Sequence, residues 1–466
     1  MPWQYKVSKF GADLRVQTGP GIGKFELLGV DNQPLGWIIG FPIDLRSRKL
    51  ITGPYRIPLR EPGCIEEFAR RLTERLGGRF LWVANTANVQ GIFPDMTASI
   101  PCVYDAVEKV AAGSPKSLLT ESEFADRFDE TTFRRMRIDA EGWLPGGGTV
   151  HDGVRRLLPN HWLDLTNWRH KRFRTAHHIF KPTSVENAAN TVIQTVQAQI
   201  EALVSGPRKP ALALTAGRDS RMVLAASHPF RRDVDYVTLA SEKNDCDTLV
   251  PRRITAEQNL SHIELPFRRA TPEARSAYIR AGGNCVAGAN SWFHPSVAPL
   301  ADTHVFVGGT GGELSRGFFW NKRNDGKNLT GSTLLRRMGL PRHDETIEVL
   351  DEWIANTGTS EPKDLLDMAY LEFREGCWAS VQFPCDMTLV RVQPLLAAPA
   401  IFSMLGIDAA VKRSASLTDK IIASEWPSLA SYGFNTLGTF RDTVHQMCRV
   451  AGNPEVILRR LRRLAS

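Results

Sequence analysis

Six residues in a row, "TAGRDS" from Thr215 to Ser220, carry one carboxylate among small and hydroxyl-bearing neighbours. The apolar run "ALAL" precedes them and the helix-like "RMVLAAS" follows. Thr215 and Ser220 offer hydroxyl donors, while Ala216 and Gly217 keep bulk away from the backbone. A loop of this kind at a helix start suits a phosphate, because the first amides and the dipole favour an anion. Asp219 in the same loop suits a magnesium ion bridging that phosphate. A plain strand–turn–helix with Asp or Ser as its cap explains the same residues equally well on motif statistics.

The elements that must hold this loop are legible from periodicity. "ALALT", "VDYVTLA", "SHIEL" and "THVFVG" read as strands, with helices expected to open at Ser220 and to span Thr248 to Asn259. Strands alternating with helices imply a parallel sheet covered on both faces. Ligands of such sheets sit beyond the carboxyl ends of the strands, where the loop lies. Up to about residue 180 the pattern differs. The short β-like runs "LGWIIGFPIDL", "GRFLWVA", "IPCVYDAV" and "HWLDLTNW" are punctuated by turn residues, which points to hairpins. One helix, with Ile65, Phe68, Leu72 and Leu76 on its apolar face, interrupts them. A polar stretch around Pro182 reads as a linker. Thr183 and Glu186 are placed as a capping box for a long helix lined by Val185, Ala189, Val192, Val196, Ile200 and Leu203. Beyond about residue 330 the chain reads as mostly helical.

With these elements in place, "TAGRDS" resembles the pyrophosphate loop of the asparagine synthetase family, S-G-G-x-D-S at the end of a first strand. Gly217, Asp219 and Ser220 match; Thr215 and Ala216 replace a Ser and a Gly and keep a hydroxyl and a small side chain. "THVFVGGTGGELSRG" resembles the family's second loop, S-G-x-G-x-D-E, with Gly309 and Gly311 matching and Glu313 standing for its second magnesium-binding Asp. "GGTVHDGVRRLLPNHWLDL" is similar to the interdomain hairpin. The resemblance implies an α/β fold: an N-terminal αββα glutaminase-like sandwich over 1–180, then an adenine nucleotide alpha hydrolase-like parallel-sheet domain with a helical C-terminal part over 183–466. It also implies ATP and Mg²⁺ as cofactors, Thr215, Ala216, Gly217, Asp219, Ser220, Gly309 and Gly311 as the nucleotide site, and Asp219 and Glu313 as metal ligands. The family's catalytic lysine maps to Lys420, with Lys412 as its rival and an ordinary surface lysine as the alternative to both.

Family glutaminases use a cysteine at position 2, with its own amine as base. This chain has Pro2, and its first cysteine is Cys64. The front region is therefore expected to be a scaffold that releases no ammonia from glutamine. Relatives without that cysteine, the β-lactam and carbapenam synthetases and in modified form the lasso-peptide cyclases, adenylate a carboxylate and let an amine attack. The resemblance thus implies an amide-forming or lactam-forming ligase acting on a carboxylate-bearing small molecule or peptide, with a partner protein as a possible carrier. Amidation of a polysaccharide acid, a sulfur-transferring or nucleotide-modifying enzyme, and a nucleotide-binding pseudoenzyme subunit remain open alternatives.

Composition narrows the field. The 466 residues, 42% hydrophobic and 23% charged, fit two or three ordinary globular domains. A net charge of +8 fits anionic ligands or a solvated basic surface. Nucleic acid is not expected, because no basic stripe is interleaved with aromatics. Seven cysteines without C-x-x-C argue against a disulfide framework or zinc. With a polar N-terminus and no apolar run long enough to span a bilayer, the expected location is cytoplasmic. "GPGIGK" at Gly19 to Lys24 lacks a Walker loop's spacing and following hydroxyl and reads as a turn. His177 and His178 lack a third ligand. Trp292 and Phe293 fit core packing or an acyl pocket. Arg316 is placed to reach a phosphate or a surface acid. The tail "ILRRLRRLAS" reads as a basic amphipathic helix, solvated or docking a membrane or carrier.

Overall fold

The computed structural model describes residues 4–58, 64–240, 245–320, 329–378 and 389–437. Pro2 and the basic tail lie outside the described residues.

The first part of the chain builds two sheets. One has five strands in the order β11-β9-β10-β1-β2, with β1 at Tyr5–Phe10, β2 at Asp13–Thr18, β9 at Val103–Asp105, β10 at Val110–Ala112 and β11 at Val154–Arg156. The other has eight and runs β13-β12-β8-β7-β4-β3-β6, with β5 paired to β4. Its members are β3 (Gly23–Leu28), β4 (Pro34–Asp44), β5 (Lys49–Leu50), β6 (Tyr55–Arg56), β7 (Leu76–Asn85), β8 (Gln90–Pro94), β12 (His161–Asp164) and β13 (Arg169–Arg172). Neighbouring strands are antiparallel, as the hairpin pattern predicts, except for β3 with β6.

Strand side chains alternate between faces, and β7 shows what that does. Leu81 and Val83 pack with Tyr5, Val7, Tyr104 and Ala111 of the five-stranded sheet. Phe80, Trp82 and Ala84 pack on the opposite side, against Phe68, Ala69 and Leu72 of the helix Ile65–Arg75. The outer face of the five-stranded sheet buries Val103, Val110 and Val154 under Leu118, Leu119 and Phe124. Leu76, expected on the helix, is the first residue of β7.

The later part carries a five-stranded parallel sheet in the order β16-β15-β14-β17-β18. Its strands are β14 (Lys209–Ala213), β15 (Asp235–Ala240), β16 (His262–Pro266), β17 (His304–Val307) and β18 (Arg391–Val392). Adjacent residues Ala211 and Leu212 of β14 enter different hydrophobic clusters, so both faces of the sheet are buried. Four of the strands fall where the sequence puts them; β18, only two residues long, has no periodic signal. The helix after β14 spans Arg218–Ala226, opening two residues before Ser220, with Gly217 as its N-cap. The next helix is Cys246–Glu257 rather than Thr248 to Asn259. The long helix Val185–Val204 is capped by Ser184, whose hydroxyl accepts from Asn187 N at 3.2 Å. Thr183, the expected cap, lies one residue outside it, with its backbone N–H donated to Gly406 O at 3.0 Å. From Gly331 onward the described elements are helical apart from β18. No helix among the described residues is long and apolar enough to cross a membrane.

Candidate functional site

The chain runs from β14 outward to β15 and β16, then returns to place β17 on the other side of β14. In sheets with such a reversal the usual ligand position is the crevice beyond the carboxyl ends of the strands that flank it, here β14 and β17. The Thr215 to Ser220 loop leaves β14 there, and the Gly308 to Glu313 loop leaves β17.

The first loop is tied together by its own hydroxyls. Thr215 Oγ1 and Ser220 Oγ lie 3.0 Å apart, Ser220 Oγ accepts from Thr215 N at 3.2 Å, and Gly217 N donates to Thr215 Oγ1 at 3.1 Å. Ala216 is buried; its N–H donates to Asp247 Oδ1 at 3.0 Å, and its carbonyl accepts from Asn435 N at 2.9 Å. Arg221, also buried, donates to the carbonyls of Tyr432 and Gly433 at 3.1 and 3.0 Å and so holds the 432–435 segment against the loop. Burial lowers the Arg221 guanidinium to about 10, with Tyr432 pulling the other way.

The second loop interlocks with the first. A Cβ on Gly309 would stand 2.8 Å from Ser220 N, and one on Gly312 would run into the Asp219 carboxylate. Gly311 adopts φ +105°, a conformation that disfavours any side chain. Gln393, just past β18, accepts from Thr310 N at 3.2 Å. The two backbones therefore meet at a distance only glycine allows.

Charge is concentrated where they meet. Both carboxylate oxygens of Asp219 face Arg316: Nη2 donates to Oδ2 at 3.1 Å and Nη1 to Oδ1. The Glu313 carboxyl is raised above its ordinary value by burial and then by the nearby Asp219 charge, with Arg316 and Arg374 pulling the other way. Its Oε2 is buried with no hydrogen-bond partner among the described residues. Glu375, on the wide π-helical turn Tyr370–Glu375, is pushed up to about 7 by burial and by Glu313. The Tyr370 hydroxyl donates to Glu375, and burial and the two glutamates hold that phenol well above its usual range.

The structure thus brings Thr215, Ala216, Gly217, Asp219, Ser220, Gly309, Gly311 and Glu313 to one crevice. It does not bring Lys420 there by any described contact. Lys420 sits on the helix Ser416–Glu425 and pairs with Glu186 at 3.3 Å, both side chains exposed. Lys412 is buried instead, 2.7 Å from Asp367 Oδ2 and 5.4 Å from the Trp320 ring centre. Trp292 lies under two guanidinium groups, Arg269 and Arg275, each 4.2 Å from its ring centre. Sequence reasoning missed Glu375, Tyr370, Arg374 and Asp247. The first three lie in "AYLEFREG", where an acid in an apolar helical run was the one available signal. Among the described residues no group of three or more His, Cys, Asp or Glu is arranged to hold a metal. Asp219 and Glu313 form a pair, and the unpartnered Glu313 Oε2 is the kind of buried oxygen a cation satisfies.

No protein-family model matches the chain, and no curated protein matches it.

Proposed function

We propose that this chain is an ATP-dependent ligase that adenylates a carboxylate and passes the acyl group to an amine, forming an amide or lactam. The reading is carried by one observation. At the strand-order reversal two glycine-bearing loops interlock, and each presents an acid, Asp219 and Glu313, to the same crevice. A substrate carboxylate oxygen attacks the α-phosphorus of ATP, the α–β bond breaks and pyrophosphate leaves. The amine then attacks the acyl carbon, gives up one proton to solvent, and AMP leaves with the electron pair of the broken C–O bond. Gly217 lets phosphate approach the backbone, Gly309 and Gly311 let the two loops close on each other, and the helix Arg218–Ala226 turns its first amides to the same end. Asp219 and Glu313 would hold Mg²⁺, which when bound neutralises charge developing on the departing pyrophosphate. Lys420, the lysine indicated by the resemblance, would have to leave Glu186 to act.

Sheet on sheet with helices outside each supports an αββα scaffold for the front layers, as in the glutaminase-like sandwich. The 3-2-1-4-5 order of the parallel strands supports an adenine nucleotide hydrolase-like second domain. The cytoplasmic location and a carrier protein for the substrate belong to the same proposal.

The test is incubation of the purified chain with ATP, Mg²⁺, hydroxylamine as a general amine and a panel of carboxylic acids and peptides. AMP, pyrophosphate and a hydroxamate are expected with the right acid; ADP formation would overturn the reading. A second reading, a nucleotide-binding subunit without turnover, is favoured by Arg316, which already occupies Asp219. It predicts ATP binding with no pyrophosphate from any acid.

A further inference from the structure

Arg316 is the feature that a simple acidic metal site would lack. It lies on the short turn Gly312–Arg316, three residues after Glu313, and its guanidinium faces both oxygens of Asp219. The planar fork of an arginine matches a carboxylate, and it matches a phosphate in the same way. A cation at the acid pair needs the lone pairs of Asp219 that Arg316 now occupies, so the two compete for one carboxylate. Glu313 Oε2 stands beside this contact, buried and without a partner. Gly317 follows Arg316 at φ +58°, a left-handed step that ends the turn and sets the arginine next to a residue with wide backbone freedom.

On the ligase reading above, we propose that Arg316 is an exchangeable counter-ion. It holds Asp219 while no metal is present, and it transfers to the phosphate oxygens when metal and nucleotide enter together. The exchange keeps every charge paired. Asp219 trades a guanidinium for a cation, and Arg316 trades a carboxylate for a phosphate. The crevice thereby favours metal arriving with nucleotide over metal alone, because only phosphate offers Arg316 a replacement partner. Arg316 is a positioning and binding residue on this account, distinct from the metal-holding pair.

The full chain can be tested with Mn²⁺ as the probe: the free-ion electron paramagnetic resonance signal reports Mn²⁺ binding without ATP, and equilibrium dialysis of Mn²⁺ across a membrane, against a protein-free Mn·ATP control, reports binding with ATP. Wild type should bind Mn²⁺ weakly alone and much more tightly with ATP. Arg316→Gln should bind Mn²⁺ alone about tenfold more tightly, since it removes a competing charge near the site. The same variant should bind ATP in the presence of Mn²⁺ about tenfold more weakly, having lost a charge-assisted phosphate contact. Arg316→Lys keeps the charge without the fork and should fall between the two; it also carries the test if Arg316→Gln does not fold. A fixed structural ion pair would instead cost stability and leave Mn²⁺ affinity unchanged in both variants, and that result overturns the proposal. ATP failing to bind wild type, with the Mn²⁺ gain of Arg316→Gln intact, would overturn the ligase reading and the phosphate half of the exchange while supporting the competition for Asp219.

Discussion

Glu372 and Glu375 lie three residues apart on the same wide helical turn, and both are buried. Their states are opposite. Glu372 faces the joint with the front layers. There it accepts from Arg172 at 2.7 and 3.2 Å, from Asn160 Nδ2 at 3.0 Å and from Trp353 Nε1 at 2.7 Å. Burial alone would raise its carboxyl, but Arg172, His161 and Asn160 outweigh burial and hold it below the ordinary range. Glu375 faces the crevice, where burial and Glu313 push it up to about 7. Equal burial therefore says little about a carboxylate; its partners decide. The joint surrounds its acid with donors, as a structural contact requires. The crevice sets acid against acid and leaves one oxygen unpartnered, an arrangement with an energetic cost that a bound cation or phosphate would relieve. A π-helical turn inside an α-helix often marks such functional ground.

The largest effect expected is on the crevice side. Asp219→Asn keeps the size of the side chain and removes the charge that the cation needs. Turnover to AMP and pyrophosphate should fall by on the order of 10³-fold. Thermal unfolding should show the protein still folded, and raising Mg²⁺ should restore little. Unchanged turnover would reduce Asp219 to an ion-pair residue. Glu313→Asp, which shortens the side chain by one methylene, should retain activity, whereas Glu313→Gln should abolish the same step.

On the joint side the expected loss is of stability rather than turnover. Glu372→Ala removes the carboxylate that pairs with Arg172, one of the two acceptors of Asn160 Nδ2 and the acceptor of Trp353 Nε1. Breaking a buried pair of this kind typically costs about 3–5 kcal/mol. Denaturant unfolding measures it, and a loss below about 1 kcal/mol would mean that the joint reorganises around water.

The pH dependence sharpens the contrast. The Glu375 carboxyl, raised from 4.5 to about 7, binds its proton more tightly in the folded chain than in the unfolded one. Its contribution to stability is present in full below the unfolded value and is lost as pH rises through about 7. In metal-free buffer, wild type should lose stability over that window relative to Glu375→Gln. Parallel curves for the two proteins would show that Glu375 titrates normally.

The smallest effect belongs to Lys420. Its exposed pair with Glu186 predicts that Lys420→Met leaves thermal stability close to that of wild type. Turnover is the informative measurement: a large loss would assign Lys420 the catalytic role that the resemblance implies. Retained turnover would leave it a surface residue.

Most strands of the parallel sheet, the antiparallel front and the two glycine loops were legible because each depends on residues close in sequence. Apolar alternation marks β14, β15 and β17, and turn residues mark the hairpins. Boundaries slipped by a residue or two, as where Ser184 rather than its neighbour Thr183 caps the long helix, because adjacent hydroxyl residues offer the same local capping chemistry. The acids of the crevice were half legible. Asp219 and Glu313 stand in recognisable loops, but Glu375 lies in a helical run whose pattern reads only as core.

By itself the sequence determined the order and type of the main elements and the presence of small residues and acids at two strand ends. Those follow from periodicity and from the conformations that individual residues allow. Only the tertiary structure decided which charges meet. Arg316 reaches Asp219 across 97 positions of sequence, and Glu372 reaches Arg172 across 200. It also decided that Gly312 must lack a side chain beside Asp219, and that Lys420 turns toward Glu186. Such pairings are set by how packed layers bring distant segments together, and a short-range pattern carries no record of the partner that will arrive.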